Sequence, residues 1–262
     1  MISGNTAERA DPAPARRNIV AVASGKGGVG KTWFSITLSH ALARLGKRTL
    51  LFDGDLGLAN VDVQLGVTPT QDLGGVLSGR VTMREAATLY PKGGFDILAG
   101  RSGSGSLSAL PASKLVGLRR ELHALADSYD WVVLDLGAGI DRPVRLFAAE
   151  VRACLVVATD EPTSITDAYA FIKVSQAEGL GGDMRLVVNM ASSTREGERT
   201  YATLRKACRE FLKLDVPLAG VVRRDDKVKD AIRRQSSLLT RHPNCEAASD
   251  VEGIARALCE LR

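Results

Sequence analysis

Two hydrophobic rhythms follow one another along this chain. Short apolar runs rich in Val, Ile and Leu read as buried strands: Asn18–Ala23, Thr49–Phe52, Phe95–Ala99, Trp131–Leu134, Ala153–Ala158, Met184–Asn189 and Val216–Val222. Between them apolar residues recur at helical spacing. Trp33, Phe34, Ile36, Leu38, Ala41, Leu42 and Leu45 share one helical face, and Gly46 stands where a C-terminal cap would. The same spacing predicts helices over Ala112–Ser128, Ser164–Glu178, Thr194–Leu212 and Asp226–Gln235, and a last stripe of Val251, Ile254, Ala255, Leu258 and Leu261. Strands separated by helices of this length predict an α/β fold, a mostly parallel, doubly wound sheet with helices on both faces. Met1–Arg17 has almost no large apolar residue and reads as a flexible tail, which leaves 18–262 as a single domain. Gly100–Ser108 reads as a loose loop.

Between the first strand and the first helix lies Gly25-Lys26-Gly27-Gly28-Val29-Gly30-Lys31-Thr32, which fits Gly-x-x-x-x-Gly-Lys-Ser/Thr. A strand before it and a helix after it are the context in which this loop cradles phosphate. Backbone N–H groups converge where the helix dipole is positive, Lys31 adds a point charge on the terminal phosphates, and Thr32 offers a hydroxyl to Mg²⁺. The candidate nucleotide-binding run is Gly25, Lys26, Gly27, Gly28, Val29, Gly30, Lys31, Thr32 and Trp33, and the doubly wound sheet is that of a P-loop NTPase.

In such sheets ligands sit beyond the carboxyl ends of the strands, so the acidic residues there carry the chemistry. Asp135 follows the apolar run Trp131–Leu134, a Walker B arrangement suited to holding Mg²⁺. Asp53 and Asp55 follow the second strand, where a short carboxylate can position a water near the metal; Asp-Gly-Asp is also simply a good turn. The run Leu186–Val188 ends in Asn189-Met190-Ala191-Ser192 and lacks the Asn-Lys-x-Asp pattern that selects guanine, which favours ATP.

Composition narrows the classes. Of 262 residues, 45% are hydrophobic and 25% charged, as suits one globular α/β domain. Cys154, Cys208, Cys245 and Cys259 contain no Cys-x-x-Cys pair, against a disulfide framework, a zinc ribbon or an iron–sulfur carrier. No apolar run reaches the length of a membrane span, so a cytoplasmic protein is expected. The net charge of +5 favours acidic partners: lipid, nucleic acid or an acidic protein. Arg223, Arg224, Lys227, Lys229, Arg233 and Arg234 read either as a contact for a DNA backbone or as the solvated face of a helix. With no aromatic interleaved for base stacking, the second reading is preferred.

The extra lysine in Lys26-Gly27-Gly28-Val29-Gly30-Lys31-Thr32 resembles the deviant Walker A motif of the MinD/ParA ATPases, and the resemblance covers Asn18–Arg262. It implies that Lys26 reaches the phosphates of a partner protomer in an ATP-dependent homodimer. It makes Lys26 and Asp55 the catalytic residues, Asp55 orienting the attacking water, with Thr32, Asp53 and Asp135 around the metal. It also implies base contacts from Asn189 and from Asp225 in Arg223-Arg224-Asp225, where the family commonly has Pro-x-Asp.

Asp135-Leu136-Gly137-Ala138-Gly139-Ile140 is similar to the family's second switch, with Leu136 or Gly137 standing where Thr or Pro is usual. Asp55-Leu56-Gly57-Leu58-Ala59-Asn60-Val61-Asp62 and Glu161-Pro162-Thr163-Ser164-Ile165-Thr166-Asp167-Ala168-Tyr169 look most like the FlhG (FleN) branch, which controls flagellar number and placement. An FlhF-like GTPase or a flagellar component is then the implied activator. Met1–Arg17 has no match to that branch's Asp-Gln-Ala-x-x-Leu-Arg segment. The last helix carries Asp250, Glu252 and Glu260 against Arg256 and Arg262, without the basic face and the Phe or Trp that an anionic membrane surface selects. The alternatives are a ParA-like ATPase on nonspecific DNA and an ATP-dependent small-molecule ligase built on the same loop.

Overall fold

The computed structural model describes residues 16–55, 59–100, 110–180 and 182–261. Eight strands form one sheet: β1 (Arg16–Ser24), β2 (Thr49–Asp53), β3 (Thr88–Tyr90), β4 (Phe95–Leu98), β5 (Trp131–Ala138), β6 (Val151–Ala158), β7 (Asp183–Ala191) and β8 (Leu218–Arg223). Their order is β3-β4-β2-β5-β1-β6-β7-β8, parallel throughout except for the antiparallel edge pair of β3 and β4. The helices are α1 (Lys31–Arg44), α2 (Val61–Leu65), α3 (Leu73–Leu77), α4 (Met83–Ala86), α5 (Ala112–Ala126), α6 (Arg142–Ala148), α7 (Pro162–Ala177), α8 (Thr194–Ala207), α9 (Asp226–Arg233), α10 (Leu238–Arg241) and α11 (Glu246–Glu260); a π-helical turn, Cys208–Leu212, continues α8.

The expected α/β sheet is present, and alternate residues of β1 show why it needs two layers of cover. Ile19, Ala21 and Ala23 join a buried cluster with α5, α6 and α7, while Val20 and Val22 join one with α1 and α11. Helix α1 ends as its glycine predicts. Gly46 has φ +75°, Lys47 N–H donates to Leu42 C=O at 3.2 Å, and Gly46 N–H to Ala43 C=O at 2.9 Å. The strand order reverses direction about β1, so the loop after β1 opens at the switch point of the sheet.

Several boundaries differ from the sequence reading. Strand β1 starts at Arg16, which pairs with Val151, so two residues assigned to the tail belong to the sheet. Residues 1–15 of that tail, Leu56–Leu58 of the first switch and most of the 100–108 loop lie outside the described residues. Asp135 does not close its strand: β5 runs on to Ala138 because Asp135 and Ala138 still pair with Val22 and Ser24 of β1. The last strand begins after Pro217 rather than at Val216, since proline has no N–H for the ladder and contributes only its carbonyl, to Leu186 N–H at 2.8 Å. Helices α2, α3, α4, α6 and α10 and strand β3 were not foreseen; at three to seven residues each they are too short to carry a period.

Candidate nucleotide site

The loop between β1 and α1 is held from three sides. At its entry, a Cβ on Gly25 would stand 2.1 Å from the carbonyl oxygen of Asp167 in α7, so only glycine admits that helix. At its exit, Gly30 has φ +88°, and a Cβ there would meet Asn189 Nδ2 at 2.5 Å. Behind it, Asn189 at the end of β7 is buried and donates from Nδ2 to Val29 C=O at 2.8 Å. Gly30 caps α1 without any side-chain hydrogen bond, which leaves the first-turn N–H groups directed at whatever the loop holds.

Lys31, Thr32, Asp53, Asp55 and Asp135 come together beside this loop. Register pairs Asp53 with Asp135 across β2 and β5, and both carboxylates are almost wholly buried. Asp135 accepts a hydrogen bond from Ser35 Oγ at 3.0 Å and another from the Thr32 hydroxyl. Asp53 accepts backbone N–H bonds from Asp55, Asn60 and Val61, each at 3.2 Å. Burial pushes both carboxyls above the usual carboxylate range; the charge of Asp135 pushes Asp53 further, while Thr32, Lys31 and Ser35 restrain Asp135. The Lys31 amine is lowered by burial, against the pull of Asp135 and Asp55.

Two buried carboxyl groups beside a hydroxyl form a hard-oxygen donor set, and burial, which raises both, disfavours their charge unless a cation offsets it. That set fits Mg²⁺, which is held by one or two carboxylates together with phosphate oxygens and water. Among the described residues no three His, Cys, Asp or Glu side chains form a cage that would hold a metal by protein ligands alone.

The two segments that resemble switches meet here. Gly54 N–H donates to Asp135 C=O at 2.8 Å, and the Asp55 carboxyl lies 3.6–3.7 Å from where a Cβ on Gly137 would be. A Cβ at position 137 would thus be in ordinary van der Waals contact with the Asp55 carboxyl. Lys26 is already engaged: its Nζ donates to Glu161 Oε2 at 2.7 Å and to Thr163 Oγ1 at 2.8 Å. These partners stand at and just inside the start of α7, and the pull of Lys26 lowers the Glu161 carboxyl below its ordinary range.

Beyond the loop, Trp33, Asn189 and Met190 face Arg223–Asp225 and Val228–Lys229 across a cleft of about 270 Å³. Met190 holds the left-handed backbone at φ +59°, an uncommon state for an unbranched side chain, and a Cβ on Gly30 would lie 3.3 Å from its Cε. The expected base-reading pair acquires structural duties. Asn189 braces the loop. Asp225 caps α9 through Lys227 N–H at 3.0 Å; burial, which alone would raise its carboxyl, is outweighed by bonds from Lys227, the Cys245 thiol and Ala247 N–H.

The basic cluster is also less free than its sequence implies. Arg223 is clamped by Asp250, from Nε at 3.0 Å and Nη2 at 2.8 Å, and by Glu246 at 2.6 Å, while Arg234 pairs with Asp230. Lys227, Lys229 and Arg233 remain exposed.

Sequence reasoning missed Ser35, Glu161, Thr163, Met190 and Arg223 as parts of this site. Ser35 was findable, since it lies three residues after Thr32 and so returns to the same helical face. The others are set by distant chain. No described helix is long and apolar enough to cross a membrane.

Comparison with known proteins agrees with this geometry. The model of the CobQ/CobB/MinD/ParA nucleotide-binding domain matches residues 20–238. The chain is 40% identical to Antiactivator FleN of Pseudomonas aeruginosa over 91% of its own length and 85% of that protein. It is 30% identical to the flagellum site-determining protein YlxH of Helicobacter pylori, covering 91% and 81%. Among solved structures, the cell division ATPase MinD of Pyrococcus furiosus superposes with a TM-score of 0.77 at 23% identity, covering 94% of this chain and all of that one. MinD of Pyrococcus horikoshii, complexed with Mg-ADP, does so at 0.75 and 24%, covering 93% and 96%. A phosphate loop with two lysines, buried carboxylates beside it, the sheet order and these relatives lead to one conclusion: the chain belongs to the CobQ/CobB/MinD/ParA family of nucleotide-binding proteins.

Proposed function

We propose that this chain is an ATP-driven dimerisation switch of the MinD/FlhG type. It binds ATP with Mg²⁺, hydrolyses it slowly and pairs with a second copy while loaded, and it regulates flagellar number or placement. The observation that carries this reading is the division of labour between two lysines of one loop. Lys31 is buried against the carboxylates, whereas Lys26 sits at the mouth, about a third exposed, where it can be surrendered to another molecule. The flagellar part rests on the likeness to Antiactivator FleN and to the flagellum site-determining protein YlxH.

Lys31 and the uncapped first turn of α1 hold the triphosphate. Thr32, Asp53 and Asp135 would hold Mg²⁺, which would supply charge neutralisation at the phosphates. Asp55, kept close to Gly137, orients the attacking water, and Lys26 leaves Glu161 and Thr163 to engage the partner's nucleotide. Loss of the terminal phosphate then loosens the pair. Activation by an FlhF-like GTPase or another flagellar component completes the proposed cycle.

The test is light scattering and phosphate release with two variants. Lys26→Ala should keep nucleotide binding and lose ATP-dependent dimers. Asp55→Ala should form dimers that outlast those of the unmodified protein, with turnover down by roughly two orders of magnitude. An unimpaired Lys26→Ala dimer makes Lys26 a surface lysine and sinks the switch; normal hydrolysis by Asp55→Ala removes Asp55 from the chemistry.

A further inference from the structure

The helical period of α8, carried on past its end, would bury Phe211. Leu204 and Cys208 are buried, and a residue seven after Leu204 returns to their face. Phe211 is instead 74% exposed, the most exposed large apolar side chain among the described residues. The cause is local. Cys208–Leu212 is wound as a π-helical turn, with more residues per turn than α8, so the inward position passes to Leu212, which packs on the core. Gln176 of α7 holds the turn through Nε2 to Leu212 C=O at 3.0 Å, and Lys213 closes it in the left-handed conformation at φ +56°. A π turn and a backbone state uncommon outside glycine thus present a phenylalanine that an unbroken helix would cover.

The face of α8 leading to Phe211 is a groove of about 380 Å³ lined by Tyr201, Ala202, Arg205, Lys206, Arg209 and Glu210. One wall is ordered in advance: Asp215 accepts from Arg205 Nε at 2.6 Å and Nη2 at 2.8 Å, and the guanidinium lies 5.8 Å from the centre of the Tyr201 ring. Lys206 is exposed and pairs only loosely with Glu210, at 3.9 Å. Arg209 is exposed and makes no hydrogen bond or ion pair among the described residues. Cations beside a bare aromatic ring suit a ligand that is both acidic and apolar. Glu210 and Asp215 interrupt the cations. That pattern repels a surface of uniform negative charge, such as lipid headgroups or a phosphate backbone, and suits a peptide, whose charges are discrete.

We propose that this groove and Phe211 form a docking site for an acidic segment of a partner protein, its carboxylates met by Arg209 and Lys206 and an apolar side chain packed on the Phe211 ring. Helix α8 leaves the carboxyl end of β7, and its π turn ends shortly before β8 begins. The site therefore lies at the edge of the sheet away from the phosphate loop, about 25 Å along the helix. Docking here leaves the nucleotide edge free and does not depend on the nucleotide reading above.

The test is selection of a displayed library of random peptides on the full chain, followed by fluorescence anisotropy of the enriched peptides with Phe211→Ala and Arg209→Glu. Enriched peptides should combine Asp or Glu with apolar residues. Their affinity should fall about tenfold or more in each variant, and it should weaken as salt is added. Because the ring is exposed, Phe211→Ala should unfold within about 2 °C of the unmodified protein. A larger loss would place the ring in the core and overturn the proposal. So would a selection that yields no acidic peptide, or an affinity unchanged in either variant. Vesicles containing phosphatidylglycerol and duplex DNA are titrated in parallel. Binding to either that Phe211→Ala abolishes, or self-association that it abolishes, assigns the surface to another occupant and equally overturns the proposal.

Discussion

Asn189 is the residue whose two readings differ most in consequence. As a base contact it would matter only once nucleotide is bound. As a strut it matters to the empty protein, because its Nδ2 supplies the hydrogen bond found at Val29 C=O, at 2.8 Å in a site where Asn189 is 2% exposed. Asn189→Ala removes a buried hydrogen bond, worth about 0.5–1.5 kcal/mol net, and leaves a buried carbonyl unsatisfied, which costs about 1–3 kcal/mol. A loss of about 2–3 kcal/mol lowers Tm by about 5–10 °C in a chain of this size. The loop then has to be ordered by the ligand. Fixing even one residue of backbone costs about 1–2 kcal/mol, so affinity should fall about tenfold. That loss should be the same for ATP and for tripolyphosphate, because the loop holds phosphate. Differential scanning calorimetry of the unliganded variant and titration with both ligands decide it. An unchanged Tm with a loss confined to ATP would refute the strut and return Asn189 to the base.

Three further outcomes follow from particular contacts. His40 is buried, its Nδ1 lies 2.6 Å from Ser237 Oγ, and burial, helped by the charge of Arg44, lowers it from 6.5 to about 4. Since only the unfolded chain takes up a proton between those values, the contribution is complete above about pH 6.5 and is lost as pH falls towards 4. It amounts to about 3 kcal/mol, so urea midpoints of the unmodified protein and His40→Gln should converge between pH 7 and 4.5; parallel curves would show that His40 does not titrate this way. Glu161→Gln, which keeps the shape and removes the charge facing Lys26, should let ATP-dependent dimers form at lower protein concentration in light scattering; dimerisation at the same concentration would show that the contact does not restrain Lys26. Gly25→Ala, whose Cβ would collide with the Asp167 backbone, should displace the loop entry from α7 and abolish measurable ATP binding by titration, and near-normal affinity would mean that α7 simply moves aside.

What the chain determined by itself is what depends on short stretches of it. The glycines that permit φ of +81° at Gly28 and +88° at Gly30, the lysine and threonine that follow, and the strand and helix on either side are written within some thirty residues, and they were legible as a phosphate loop. The buried strands were legible because a parallel sheet covered on both faces needs unbroken apolar runs. The carboxylates Asp53, Asp55 and Asp135 could be placed near one another because strand ends of such a sheet share an edge.

The tertiary structure alone decided who touches whom across that edge. Lys26 meets Glu161 from 135 residues away, and Val29 meets Asn189 from 160 away, because β6 and β7 follow β1 in the sheet order, which no local pattern encodes. Asp225 binds the starts of two helices because α9 and α11 converge there, so a carboxylate assigned to the base is largely committed to N–H groups. Periodicity reports which face of an element is buried. It is silent on which neighbour buries it, and the partners of buried polar groups are a property of that neighbour.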